Sequence, residues 1–247
     1  MIDKGYIISL LSKGERLDGR RLDEYREIKI ETNKMVNPEG WASVKIGNTH
    51  VMAGVKMDVG QPFPDKPNEG VLMTSAEFSP IASPDFETGP PDEDAIELAR
   101  VVDRGIRESK AIDMEKLCIV KGEKVWGVFI DIQPLNHDGN LIDTSGIAAI
   151  VALLNTKIPK YEEDKVIYEE KTKSLPVVKK PVPITFGFVR DKFFIDPWIE
   201  EEQVMTSRLT VTTTEDKHIC AIQKGGNEGL SPSMVESVLE MAIKKGN

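Results

Sequence analysis

Apolar residues fall in short runs bounded by glycine, proline and asparagine, interrupted by stretches where they recur at helical spacing. The short runs predict strands over 26–32, 41–47, 49–58 and 71–79, with Gly47-Asn48 turning the middle pair into a hairpin. Four prolines within 80–91 mark a loop, and a helix follows. Asp92, Glu93 and Asp94 suit its N-terminus, where carboxylates meet free N–H groups and the positive end of the dipole. Ile96, Ala99, Val102 and Ile106, with Asp103 among them, form one stripe, expected to be buried. Arg100, Arg104 and Arg107 form a second stripe on another face. Strands over 116–121 and 124–134 make a further hairpin around Gly122-Glu123, and the apolar stretch 142–156 reads as a buried helix. Residues 157–181 are charged, proline-punctuated and without clear periodicity, the marks of a connector. Beyond it the pattern predicts strands over 182–190, 192–196, 204–214 and 217–223, a glycine-rich turn over 225–229, and a last helix with Ser231 as N-cap and Pro232 at its first position.

Strands followed by helices, twice over, predict an α+β protein of two β-sheet-plus-helix units, 1–156 and 182–247. The first also carries an N-terminal helix around Tyr6–Leu11, a six-residue apolar run too short for a transmembrane helix or a signal core.

Charge changes this picture more than composition does. With 41 acidic and 32 Lys or Arg side chains the net charge is −9. A protein that binds nucleic acid alone usually presents a large basic surface, so any such contact here is local or shared with a basic partner. Cys118 and Cys220 form no metal or redox motif and fit a reducing cytosol. His50, His137 and His218 are scattered, so no metal or cofactor is expected. Asp196 with Glu200, Glu201 and Glu202 is expected to be a solvated acidic loop rather than a cation site. Two readings of the arginine stripe are open on pattern alone. It is a solvated face with local pairs such as Glu97 to Arg100 or Asp103 to Arg107, or a row of guanidinium groups gripping successive phosphates.

Several motifs, in order along nearly the whole chain, carry a resemblance. They are Arg16-Leu17-Asp18-Gly19-Arg20, the hairpin around Gly47, the helix IELARVVDRGIRES, Val125-Trp126, Asp138-Gly139-Asn140, Ile195-Asp196-Pro197 with Glu200–Glu202, and Gln223-Lys224-Gly225-Gly226. With them the chain resembles the ribonuclease-PH-type subunits of the archaeal exosome, and among these the non-catalytic ring subunit. The resemblance implies a ribonuclease-PH-like fold whose first unit is like domain 2 of ribosomal protein S5. It also implies a cytoplasmic, 3′-to-5′ RNA-degrading complex. In it this chain pairs with a catalytic ribonuclease-PH-like subunit, three pairs close a hexameric ring around single-stranded RNA, and RNA-binding cap subunits join the ring.

Catalytic members of that family hold phosphate in a Gly-Ser/Thr-Arg loop, grip RNA with arginines at the start of the long helix, and place an aspartate on a strand of the second unit. Here the matching positions are Gly139, Asn140 and Leu141, then Asp92 to Asp94, then Arg208. Three charge-changing differences at separate sites imply that this chain does not catalyse the reaction. The resemblance implies that Arg100 and Arg104, with Arg107 as a weaker candidate, bind RNA for a neighbouring active site. The alternatives are a self-sufficient phosphate-dependent 3′-to-5′ exoribonuclease and a stand-alone RNA-binding protein.

Overall fold

The computed structural model describes residues 3–32 and 34–246. In chain order the elements are α1 (Lys4–Ser12), β1 (Ile28–Thr32), β2 (Gly40–Ile46), β3 (Thr49–Gly60), β4 (Val71–Ala76), α2 (Glu93–Glu108), a 3-10 turn at Met114–Leu117, β5 (Cys118–Val120), β6 (Lys124–Asn136) and α3 (Leu141–Asn155). There follow β7 (Lys157–Glu162), β8 (Lys165–Ser174), β9 (Val182–Val189), β10 (Lys192–Ile195), α4 (Ile199–Glu202), β11 (Ser207–Thr213), β12 (Ile219–Gly226) and α5 (Pro232–Lys245).

The first sheet runs β1-β2-β3-β6-β4, with β5 also pairing β6. Every pairing in it is antiparallel except that of β4 with β6. The second sheet is the antiparallel set β10-β9-β11-β12. Between the sheets lie α2 and α3, so that α3 touches β2 and β3 on one side and β9 on the other. Because α3 is enclosed by both sheets, it is apolar nearly all round, as the sequence predicts. Gly146 lets it approach the second sheet, since a Cβ there would sit 2.3 Å from Cγ of Pro183.

The pleat of the second sheet explains its composition. Ile184, Phe186, Phe188, Leu209 and Val211 share a cluster with Val238 and Ala242 of α5. The alternate positions bring Thr185 to Asp143 of α3 and Thr212 against Gly105 of α2. The layers therefore run sheet, helix pair, sheet, helix.

Three local expectations are corrected. The stretch read as a connector contains the β7-β8 hairpin, with buried Ile158 and half-buried Tyr161 and Val166 on the first core. Its many charges lie on the exposed side and mask the strand period. Helix α1 lies on the second unit, where Ile7 and Leu11 meet Val189, Phe194 and Val204. In α2 the buried stripe is Ala95, Leu98, Ala99, Val102 and Ile106, flanked by Val101 and Gly105, whereas Ile96 is 47% exposed beside Arg100. No helix among the described residues is long and apolar enough to cross a membrane.

Candidate nucleic-acid interface

Helix α2 is preceded by its N-cap Asp92, whose side chain accepts from Ala95 N at 2.8 Å and is spent on capping. Its three arginines then diverge. Arg107 donates to Asp103 at 2.9 and 3.0 Å and to the Leu72 carbonyl at 3.1 Å, which ties it to its own helix and to β4. Arg104 donates to Gln223 of β12 at 3.1 Å. Arg100 is exposed and has no hydrogen bond or ion pair to any described residue. Arg100 and Arg104 line an open groove of about 420 Å³ with Glu93, Ile96, Glu97 and Gln223. Glu97, one of the anticipated partners of Arg100, instead pairs with Arg208 of β11.

That pair leads into a second depression, a cleft of about 140 Å³ between the sheets. Its wall contains Asp94, Glu97, Asn140, Leu141, Glu202 and Arg208, together with Phe78, Phe86, Leu98 and His137. Residues from all three of the separate sequence regions thus converge here, although Asp92 itself stays outside and Asp94 represents its neighbourhood. Three carboxylates face one guanidinium that is already engaged.

The cleft floor is built at the start of α3. Asn140 takes the left-handed conformation (φ 55) and caps the helix through its side chain. Gly139 has φ 85, and a Cβ there would lie 2.5 Å from the Pro197 carbonyl oxygen, so this turn needs glycine on both counts. The N–H of Asn140 donates to Glu202 Oε1 at 2.8 Å. Burial pushes the Glu202 carboxyl up to about 7, although a quarter of its side chain stays exposed. Burial also lowers the His137 imidazole below its ordinary value.

Behind the floor lies a buried ionic cluster that sequence reading missed. Arg16 donates to Glu201 at 2.5 and 2.8 Å and to the carbonyls of Ile195 and Asp196 at 2.9 Å each. Arg20 and Arg26 both reach Asp196, at 2.8 and 2.7 Å, and Arg26 also donates to the carbonyls of Asp138 and Gly139 at 2.6 and 3.2 Å. Asn140 Nδ2 donates to Asp196 at 2.8 Å and to Asp143 at 2.9 Å. Asp143 further accepts from Tyr25 at 2.7 Å and from the Thr185 hydroxyl at 2.7 Å. The acidic segment 196–202 is therefore not a solvated loop: Asp196 is 0% and Glu201 1% exposed. Burial pushes Asp196 upward, but the bonds and charge of Arg26 outweigh it and hold the carboxyl below its ordinary value. Asp143, surrounded by neutral donors, is pushed up to about 6 by burial. Among the described residues no group of three or more His, Cys, Asp or Glu side chains is arranged to hold a metal ion. The signal that was available is the pairing of an Arg-rich turn with an Asp-Pro/Glu-rich segment, but 170 to 185 residues separate the partners.

Comparison with known proteins gives two matches to domains of one family and several full-length relatives. The model described as the 3′ exoribonuclease family, domain 1, matches residues 24–159, and the model for domain 2 of that family matches 180–245. The exosome complex component Rrp42 of Thermococcus kodakarensis is 50% identical over 250 residues, covering 100% of this chain and 92% of its own. Among solved structures, a chain of the Archaeoglobus fulgidus exosome with RNA bound to the active site superposes with a TM-score of 0.92 at 48% identity, covering 98% of this chain and 93% of that one. A chain of an archaeal exosome core gives 0.87 at 45% identity, with 98% and 92% covered.

Proposed function

The chain belongs to the 3′ exoribonuclease family and has its ribonuclease-PH-like α+β fold, and from that premise we propose that it is an exosome ring subunit that binds RNA without cutting it. In this reading it pairs with a catalytic ribonuclease-PH-like subunit, and three pairs close a six-membered ring with RNA-binding cap subunits. Single-stranded RNA threads the ring. The assembly is supported by relatives that are exosome components, and the ligand by the RNA bound to the active site of the Archaeoglobus fulgidus exosome. Two free cysteines fit a cytoplasmic setting.

The observation that carries the division of labour is the contrast between the groove and the cleft. Phosphoryl transfer needs positive groups at the phosphate oxygens and at the developing charge. The cleft offers Asp94, Glu97 and Glu202 against Arg208 alone, and Arg208 is held by Glu97. Leu141 follows Asn140 where a phosphate loop would place a cation, and the Asn140 N–H is taken by Glu202. The groove offers the reverse: among the described residues Arg100 has no partner and Arg104 has only a neutral one. Guanidinium groups about one helical turn apart suit successive phosphates of a single strand.

RNA degradation in phosphate buffer tests this directly, with the purified chain alone and then with its co-purifying partner. Degradation by the mixture and none by the chain alone is the expected result. Phosphate-dependent degradation by the chain alone would make it an exoribonuclease in its own right.

A further inference from the structure

Three rings stack along one side of the cleft. Phe78 and Phe86 have centroids 4.5 Å apart at 25°, and Phe86 and His137 lie 5.5 Å apart at 13°. All three are only half-buried. Besides packing on one another, they line the depression together with the apolar side chains of Leu98 and Leu141. On its polar side Arg208, at the wall of the depression, gives one terminal nitrogen to Glu97. A guanidinium carries more N–H donors than the one that Glu97 takes, so its edge at the cleft wall suits an acceptor atom. Phosphate is the wrong occupant because the surrounding carboxylates repel it. A flat neutral heterocycle with a ring nitrogen or carbonyl at its edge satisfies both sides of the cleft.

We propose that the cleft bounded by Phe78, Phe86, His137 and Arg208 is a nucleobase-binding subsite. A base lies with its face toward the ring stack and its acceptor edge toward the Arg208 guanidinium. Stacking on aromatic side chains is tolerant of sequence, since every base presents a π-face. Glu97 lines both the cleft and the Arg100–Arg104 groove. A strand whose phosphates ride on the two arginines therefore reaches the cleft with one base turned out of its stack. Glu202, with a carboxyl near 7, both donates and accepts at neutral pH and suits the varied edges of different bases. The RNA origin of the base rests on the function proposed above; the chemistry of the cleft does not.

The experiment has two arms. Adenosine and guanosine, which carry no phosphate, are titrated against the full chain by saturation-transfer NMR. Single-stranded RNA with 2-aminopurine scanned along it is titrated against the chain assembled with its partner. Saturation of the base protons and quenching at one RNA position are expected. F86L and, separately, H137A should each weaken nucleoside binding by roughly tenfold. Inorganic phosphate should not displace the nucleoside. No saturation with the native chain, or saturation unaltered in both folded variants, overturns the subsite, as does displacement by phosphate. Nucleoside binding without RNA binding supports the subsite and sinks the RNA-binding function; RNA binding without nucleoside binding or local quenching does the opposite.

Discussion

Arg16, Arg20 and Arg26 lie behind the cleft, and Arg100 and Arg104 lie in front of it, and the same side chain does opposite work in the two places. The rear set is 0%, 11% and 9% exposed at the side chain and meets Asp196, Glu201 and main-chain carbonyls. The front set is exposed, and among the described residues only Arg104 has a partner, a neutral amide. A guanidinium carries five donors in a fixed fork, so its unused donors say what it is for. Saturated at the rear, they fix a loop; in front, most have no acceptor among the described residues. Counting arginines along the sequence merges these two populations, while counting their acceptors separates them.

The comparison is broken most severely at the rear. Asp196→Ala takes from Arg26 the carboxylate that it hydrogen-bonds, leaving only Asp138 at 3.7 Å, and loss of one partner of a buried ion pair costs about 3–5 kcal/mol. Chemical denaturation of the variant should show that loss; a change below about 1 kcal/mol would mean that the cluster is ornamental to stability. In front, the double variant Arg100→Ala, Arg104→Ala should leave the denaturation midpoint where it was. RNA affinity of the assembled complex should fall about ten- to a hundredfold through the loss of two charge-assisted phosphate contacts. The slope of log affinity against log salt should shrink by about 1.4, two contacts at about 0.7 each for single strands. An unchanged slope would remove these arginines from the RNA path.

Between the two sets sits Glu202, whose titration sharpens the contrast. Its folded value of about 7 exceeds the ordinary 4.5, so the folded state binds the extra proton between those values. Stability from this group is fully present below about 4.5 and is lost as pH rises through 7. Glu202→Gln should abolish that part of the pH dependence and stabilise the chain at about pH 8 by about 1–2 kcal/mol, an amount reduced by the exposed part of the side chain. Denaturation at a series of pH values checks it, and an unaltered profile would place the carboxyl in solvent. The smallest effect belongs to Arg107, whose exposed pair with Asp103 is worth about 0.3–0.5 kcal/mol. Arg107→Ala should shift stability by no more than that and leave the RNA salt slope alone, which would separate it from Arg100 and Arg104.

What could be read from the sequence was local. The Gly47-Asn48 hairpin, the cap at Asp92 and the Ser231-Pro232 helix start are each decided within a few residues, and each is in place. Comparison of motifs with a known family pointed to the three segments that line the cleft, because each lies in a recognisable run. Ile96 was assigned to the wrong face because one isoleucine fits helical spacing from either side, and only the neighbouring sheet selects Leu98 and Ala95 instead. The hairpin at 157–174 was hidden by lysines and glutamates on its outer face. The buried cluster was invisible for a different reason. Asp196 and Glu201 read as polar, and nothing adjacent to them reveals that arginines from the opposite end of the chain enclose them.

That long-range closure has a consequence for how the molecule is made. Residues 4–26 are synthesised well before their partners, since α1 awaits Phe194 and Val204, Arg16 awaits Glu201, and Asp23 awaits Lys245. The first sheet can assemble on the ribosome while this leading segment, apart from Tyr25 and Arg26, still lacks its partners, and contacts of such sequence separation form slowly. The leading segment thus acts as a fastener closed last. A nascent chain halted before residue 195 would carry Arg16 without Glu201, and Arg20 and Arg26 without Asp196, with only lesser partners such as Asp18 and Asp138 to receive them.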